Sequence, residues 1–135
     1  GFAAGREQWS KGGSALDILA AILDVRYGDT RRLANVSPHL VELNATVFQR
    51  CNDIVTTVAV SFEADLAQLI IELQEANLLR LRAGVTPDDA AQALANGARG
   101  VNQRLPPVPA ASLSARYREM CQFILYGSAE PPPGR

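Results

Sequence analysis

The stretch PHLVELNATVFQRCNDIVTTVAVSFEADLAQLIIELQEANLLRLRA, residues 38–83, contains no glycine, and its one proline is its first residue. Its centre, Ile54 to Phe62, is rich in β-branched side chains and invites reading as a strand. Periodicity overrules that reading. Leu40, Leu43, Val47, Cys51, Ile54, Val58, Phe62, Leu66, Leu69, Leu73 and Ala76 recur every three or four residues, while Glu42, Thr46, Gln49, Asp53 and Thr57 keep to the other side. The spacing predicts one amphipathic helix over about 38–83, opened by Ser37 as N-cap with Pro38 at its first position, and stopped by Gly84. Such a helix would be about 69 Å long, whereas a compact domain of this size is about 37 Å across. Either the helix breaks without glycine or proline, or something else covers its exposed half.

A second apolar row runs along the back of the same segment: Val60, Ala64, Ala67, Ile71 and Leu78, interrupted by Gln74. The alternating spacing of four and three is that of a heptad seam, and its small central residues allow close approach of a second helix. A neighbouring helix of the same chain could fill this groove. The length mismatch favours pairing between two copies, so these five residues are the expected dimer interface.

Outward from this segment, punctuation divides the rest of the chain. Residues 1–13 are glycine-rich and read as a flexible N-terminal arm with Trp9 as its one anchor. Ser14 offers an N-cap to a first helix running from Ala15 to Tyr27, with Gly28 as a left-handed stop. Thr86-Pro87-Asp88-Asp89 places an N-cap, a proline and two carboxylates at the start of a third helix. That helix must end before Pro106-Pro107, and Asn96-Gly97 offers an earlier stop. Ser112 or Ser114 opens a fourth helix, closed by Gly127, and 128–135 reads as a disordered tail. The expected fold is therefore all-α: a single helical domain over 14–127, four helices in all, with the long one central and three shorter ones packed on it.

Composition narrows the function. Of 135 residues, 47% are hydrophobic and 20% charged, the profile of an ordinary globular domain. Thirteen basic against fourteen acidic side chains leave a formal charge of -1, without the electrostatic attraction that drives binding to nucleic acid. The most apolar run, Leu16 to Leu23, is shorter than the roughly 20 residues a spanning helix requires, so no transmembrane segment is expected. Met120 is the only methionine, which leaves an exported or periplasmic origin open beside a cytoplasmic one.

Chemistry-bearing residues are sparse. His39 and Glu42 would share a helical face, but one histidine falls short of a zinc or di-iron ligand set, so no metal and no cofactor are expected. Asp53, Glu63, Asp65, Glu72 and Glu75 point in several directions and read as solvated charge. Arg99, Arg104, Arg116 and Arg118 flank the Pro106-Pro107-Val108-Pro109 turn and are the candidate anion-binding cluster, with pairing to acidic neighbours as the competing use. Two glycosylation sequons, Asn35-Val36-Ser37 and Asn44-Ala45-Thr46, are compromised by a following proline and by a helical setting. Cys51 and Cys121 both fall on core-facing stripes and are candidates for a disulfide if helix four packs on the first half of the long helix. No nucleophile, base and orienting group can be named together, so an enzyme is not expected. The expected function is a non-catalytic interaction or assembly module, homodimeric and binding another protein as an adaptor, inhibitor or subunit. The alternative is an exported carrier of a small apolar or anionic ligand held between helices.

Overall fold

The computed structural model describes residues 1–36 and 38–134, with the backbone alone at positions 35, 38, 40, 41, 44 and 48. The N-cap assigned to Ser37 lies outside the described residues, as do Leu40 of the apolar stripe and the asparagine side chains of the two sequons. Helical structure dominates: α1 (Phe2–Ser10), α2 (Ala15–Leu23), a π-helical turn (Asp24–Gly28), α3 (Asp29–Val36), α4 (Pro38–Arg50), α5 (Asn52–Glu75), α6 (Pro87–Asn102), a 3-10 turn (Ala110–Ser112) and α7 (Leu113–Tyr126). No strand occurs among the described residues. The all-α class holds, with more and shorter helices than the four expected.

The expected 38–83 helix is two helices with two distinct interruptions. At Cys51 the backbone takes φ -122° and ψ 40°, although the Cys51 amide still donates to Val47 O and the Val55 amide to Cys51 O. Asn52 and Asp53 follow, two poor formers of helix interiors whose side chains compete for backbone partners. At the other end, α5 stops at Glu75 rather than at Gly84. Asn77 there adopts φ +60°, its amide donates to Gln74 O at 3.0 Å, and the Leu78 amide reaches back to Leu73 O at 2.9 Å. This is a Schellman termination with asparagine in the left-handed position. Asparagine tolerates that conformation well enough to replace glycine, which is why a search for glycine and proline misses the stop.

The most enclosed element is α2, not the long helix. Its sequence ALDILAAIL is apolar on nearly all sides, and Ala15, Ile18, Leu19, Ala20, Ile22 and Leu23 are buried. A helix of this kind is stable only when neighbours cover it all round. Packing runs from α1 to α2, from α2 to α7, from α7 to α6 and from α6 to α5. Side chains of α1 then close the circuit on α5: the Phe2 and Phe62 rings lie 5.5 Å apart, and Arg6 pairs with Glu72 at 2.7 Å. Phe62, Leu66, Leu69, Ile70 and Leu73 of α5, Leu94 of α6, and Leu113 and Tyr117 of α7 complete the core.

The N-terminal segment departs from expectation for a packing reason. Instead of a flexible arm, residues 2–10 form α1, docked where Gly5 is buried against α2. A Cβ at Gly5 would stand 2.6 Å from the Ile22 side chain, so glycine is what permits the two helices to approach this closely. Gly28 likewise has a different use. It is not a left-handed stop; it is buried within the π-helical turn, where a Cβ would lie 2.8 Å from both the Asp24 carboxylate and the Arg32 guanidinium. Gly97 does not end α6 either, since it gives room to Met120 of α7.

Local signals at other ends agree with the sequence. Ser14 and Thr86 each accept a hydrogen bond from the amide three residues on, and Asp17 and Asp89 each accept one from the cap amide in turn, forming two complete capping boxes. The Ser14 amide, the Arg118 guanidinium and the Ser14 hydroxyl hold the Asp17 carboxyl below its ordinary range. Gly127 closes α7 at φ +80°, as expected. No helix continues through 128–134.

The Asn77 termination can be tested directly. Asn77→Gly should leave the denaturant midpoint within about 0.5 kcal/mol of the parent, whereas Asn77→Val should lower stability by ~1–2 kcal/mol through left-handed strain. Equal midpoints for the two variants would show that the left-handed residue is not what ends α5.

Candidate functional sites: an apolar arm and an open trough

The apolar stripe of 38–83 divides into two halves with opposite fates. From Phe62 onward it lies in the core, but upstream Leu43, Val47, Ile54 and Val58 are 56%, 46%, 65% and 48% exposed. Among the described residues, the extensive contacts of α4 are with its chain neighbours α3 and α5. Together α4 and the first half of α5 thus form an arm whose apolar side faces solvent. Its other side carries exposed Glu42, Gln49 and Asp53, and the Thr46 and Thr57 hydroxyls bond back to Glu42 O and Asp53 O. An exposed row of four large aliphatic residues is more than a monomeric surface normally leaves uncovered.

The expected seam is dispersed by comparison. Val60 and Ala64 are exposed, Ala67 is buried in the core, and Ile71 is half-buried. Leu78 lies beyond the end of α5 and packs against the core, so it does not continue the row. Only the upstream members of that row share the arm's exposure.

The remaining candidates are separated. Cys51 and Cys121 are both free thiols and not within bonding distance, because α7 packs on α2 and α6 while Cys51 sits at the bend of the arm. Burial pushes the Cys121 thiol up to about 12, which leaves Cys51 as the reactive one. Of the four arginines, Arg99 pairs with Glu63 at 3.3 Å, Arg116 with Glu119 at 3.3 Å and Arg118 with Asp17 at 2.7 Å, while Arg104 donates to Pro106 O at 2.9 Å. They do not converge on a common site. His39 and Glu42 are exposed, and no group of three or more His, Cys, Asp or Glu side chains suited to a metal occurs among the described residues.

Polar side chains stitch the bundle together. Arg32 bonds Asp24, Asp29 and Ser114, tying the π-helical turn to the start of α7, and Ser114 donates to Asp24 at 3.0 Å. Tyr117 donates to Asn102, whose amide reaches Tyr27 O at 3.3 Å. Burial, with the Asp24 charge adding to it, pushes the Tyr117 hydroxyl up to about 12. The Ser114 hydroxyl faces a carboxylate and a guanidinium rather than a histidine, a setting that orients it without activating it.

Two concavities adjoin along α6 and α7, of about 530 and 410 Å³. The first is walled by the 79–82 segment, α6 and the end of α7; the second lies over Gly100, Val101 and Met120. Phe123 and Ile124 line both, and the two adjoining hollows with this shared wall are termed the trough. Sequence reading missed it because Leu79-Arg80-Leu81-Arg82 was assigned to the long helix. In the structure this segment follows the helix stop without regular structure, anchored by a bond from the Leu81 amide to the Gln74 side chain.

The sequence held no transmembrane segment by the length of Leu16–Leu23, but α5 passes that test, with 24 residues and a mean hydropathy of 1.6 over its most apolar window. Its second half packs in the core, and Glu63 near its middle is paired with Arg99. Placing two carboxylates, Glu63 and Asp65, at bilayer depth would cost about 3 kcal/mol each.

The chain matches no protein-family model, and neither the curated proteins nor the solved structures compared with it include a significant match.

The two thiols and the buried tyrosine give measurable consequences. A maleimide should label Cys51 alone in the folded protein at neutral pH and both cysteines in denaturant; two rapid equivalents under native conditions would contradict the burial of Cys121. A phenol whose folded pKa lies above its unfolded value of about 10 contributes stability that is complete below pH 10 and is lost as pH rises towards 12. Alkaline titration should therefore destabilise the parent more steeply over that window than Tyr117→Phe, and parallel curves would remove Tyr117 from the linkage.

Proposed function

We propose that this chain is a non-catalytic assembly module that pairs with a second copy by laying the two arms antiparallel. The observation that supports the reading most directly is the exposure of Leu43, Val47, Ile54 and Val58 on an arm the rest of the chain does not cover. Their spacing also suits a two-fold contact, which requires a patch complementary to itself. The four positions are symmetric about the Arg50–Cys51 peptide. An axis through that point sets Leu43 against the partner's Val58 and Val47 against the partner's Ile54. Members of the stripe repeat at eleven residues, Leu43 to Ile54 and Val47 to Val58, a spacing close to the natural turn of a helix.

Magnitudes place the pairing in a reversible range. Eight half-exposed aliphatic side chains, four from each copy, would gain ~1 kcal/mol apiece on burial. Association sets ~4–15 kcal/mol against that gain before polar contacts are added. At the favourable limit about 4 kcal/mol remains, a dissociation constant of about 1 mM, so a weak and reversible dimer is expected rather than an obligate one.

Light scattering should report a substantial dimer fraction for the parent at about 1 mM and above and a folded monomer for Ile54→Asp, with helical circular dichroism unchanged because Ile54 is 65% exposed in the single chain. A parent that stays monomeric at about 5 mM would end this reading. Register has its own test in a Cys51→Ser background: a short bismaleimide should link copies carrying both Leu43→Cys and Val58→Cys, and neither single variant. Linkage of the single variants would show that the arms run parallel.

A further inference from the structure

We infer that the trough along α6 and α7 binds a single-chain amphiphile with an anionic head, its head at Arg80 and Arg82 and its tail towards Met120. This goes beyond self-pairing and rests on different residues. The Schellman turn at Asn77 releases the chain from α5 into the 79–82 segment, where leucine and arginine alternate. Leu79 is buried and Leu81 half-buried, while Arg80 and Arg82 are exposed on the rim of the same 530 Å³ concavity. Val85, Ala93, Phe123 and Ile124 add to its apolar wall. The volume is that of a small-ligand site, and a 410 Å³ hollow lies next to it across the Phe123–Ile124 wall, so the two together offer room for an extended chain. Elongation suits an acyl chain better than a compact molecule.

Charge sets the direction of the ligand. Among the described residues, neither Arg80 nor Arg82 has a carboxylate within ion-pairing distance. Asp89 in the same lining accepts from the Thr86 amide at 3.0 Å, and its single charge leaves the two guanidinium groups in excess. At the far end Arg104 is occupied by Pro106 O and Arg116 by Glu119. Among the described residues Arg104 has no carboxylate partner either, so two uncompensated guanidinium groups stand at the 79–82 end of the trough and one at the other. Guanidinium groups accept a carboxylate, sulfate or phosphate oxygen pair through parallel N–H donors, and the apolar wall beside them accepts the chain. At the tail end a Cβ on Gly100 would meet nothing within 4 Å, so the second hollow is open space rather than packed interior.

Calorimetric titration of the delipidated protein with dodecanoate, dodecanol and dodecyltrimethylammonium, each below its micelle concentration, tests the inference. Dodecanoate should bind at least ten-fold tighter than dodecanol, and the cationic probe more weakly than either. The double variant Arg80→Gln/Arg82→Gln should lose that ten-fold preference while keeping dodecanol affinity. Gly100→Leu, which adds a side chain at the second hollow where a Cβ meets nothing within 4 Å, should weaken dodecanoate about ten-fold and leave octanoate unchanged. The same values should appear in the Ile54→Asp background, which separates this site from the pairing of arms. Equal affinity for dodecanoate and dodecanol in the parent, no binding of either, or sedimentation with phosphatidylglycerol vesicles without binding of monomeric dodecanoate would each overturn it.

Discussion

A nine-residue helix that is apolar on nearly every side has to be surrounded, and the arrangement of this protein follows from surrounding α2. Ile18, Leu19, Ile22 and Leu23 are fully buried, and at ~1.5–3 kcal/mol each their enclosure is comparable to the whole net stability of a domain. That enclosure recruits α1 through the close approach at Gly5 and α7 through Leu113 and Tyr117. It brings α6 and the second half of α5 into the same core, with Phe2 closing the circuit on Phe62. Once these neighbours are in place, the perimeter is full. The remainder of the long apolar stripe has no position left inside.

This explains why the molecule keeps aliphatic residues outside. Leu43, Val47, Ile54 and Val58 continue the same periodic face as Phe62 and Leu66, yet they lie beyond the reach of the core. The bend at Cys51 turns the arm without returning it to the bundle. At the end of α5 the Schellman turn sends the chain away from the helix axis and opens the trough beside α6 and α7. One termination thus both ends the core segment of α5 and builds the wall of a concavity.

Polar contacts supply alignment more than strength. The Arg6–Glu72 and Arg118–Asp17 pairs are partly exposed, and pairs of that kind are worth ~1 kcal/mol or less. Arg32, with one partner in each of the π-helical turn, α3 and α7, and the Tyr117–Asn102–Tyr27 chain of bonds act where the π-helical turn meets α6 and α7. They set how α2 hands over to α3, and through that the point from which the arm departs.

The helical class, the starts at Ser14 and Thr86 and the stop at Gly127 could be read from residue type and spacing, because a cap or a positive-φ glycine is satisfied within a few residues of chain. The Asn77 stop was also local, written in an asparagine rather than a glycine. What periodicity could not decide was the partner of each face. A repeat of three and four reports that one side of a helix is apolar, and it reads the same whether core, a second copy or water lies against it. Only the tertiary structure placed Phe62 inside and Ile54 outside, separated Cys51 from Cys121, distributed the four arginines among individual partners and brought the 79–82 segment beside α7. Each of these outcomes depends on contacts between residues distant in sequence, and the closed circuit of helices around α2 is what settles them.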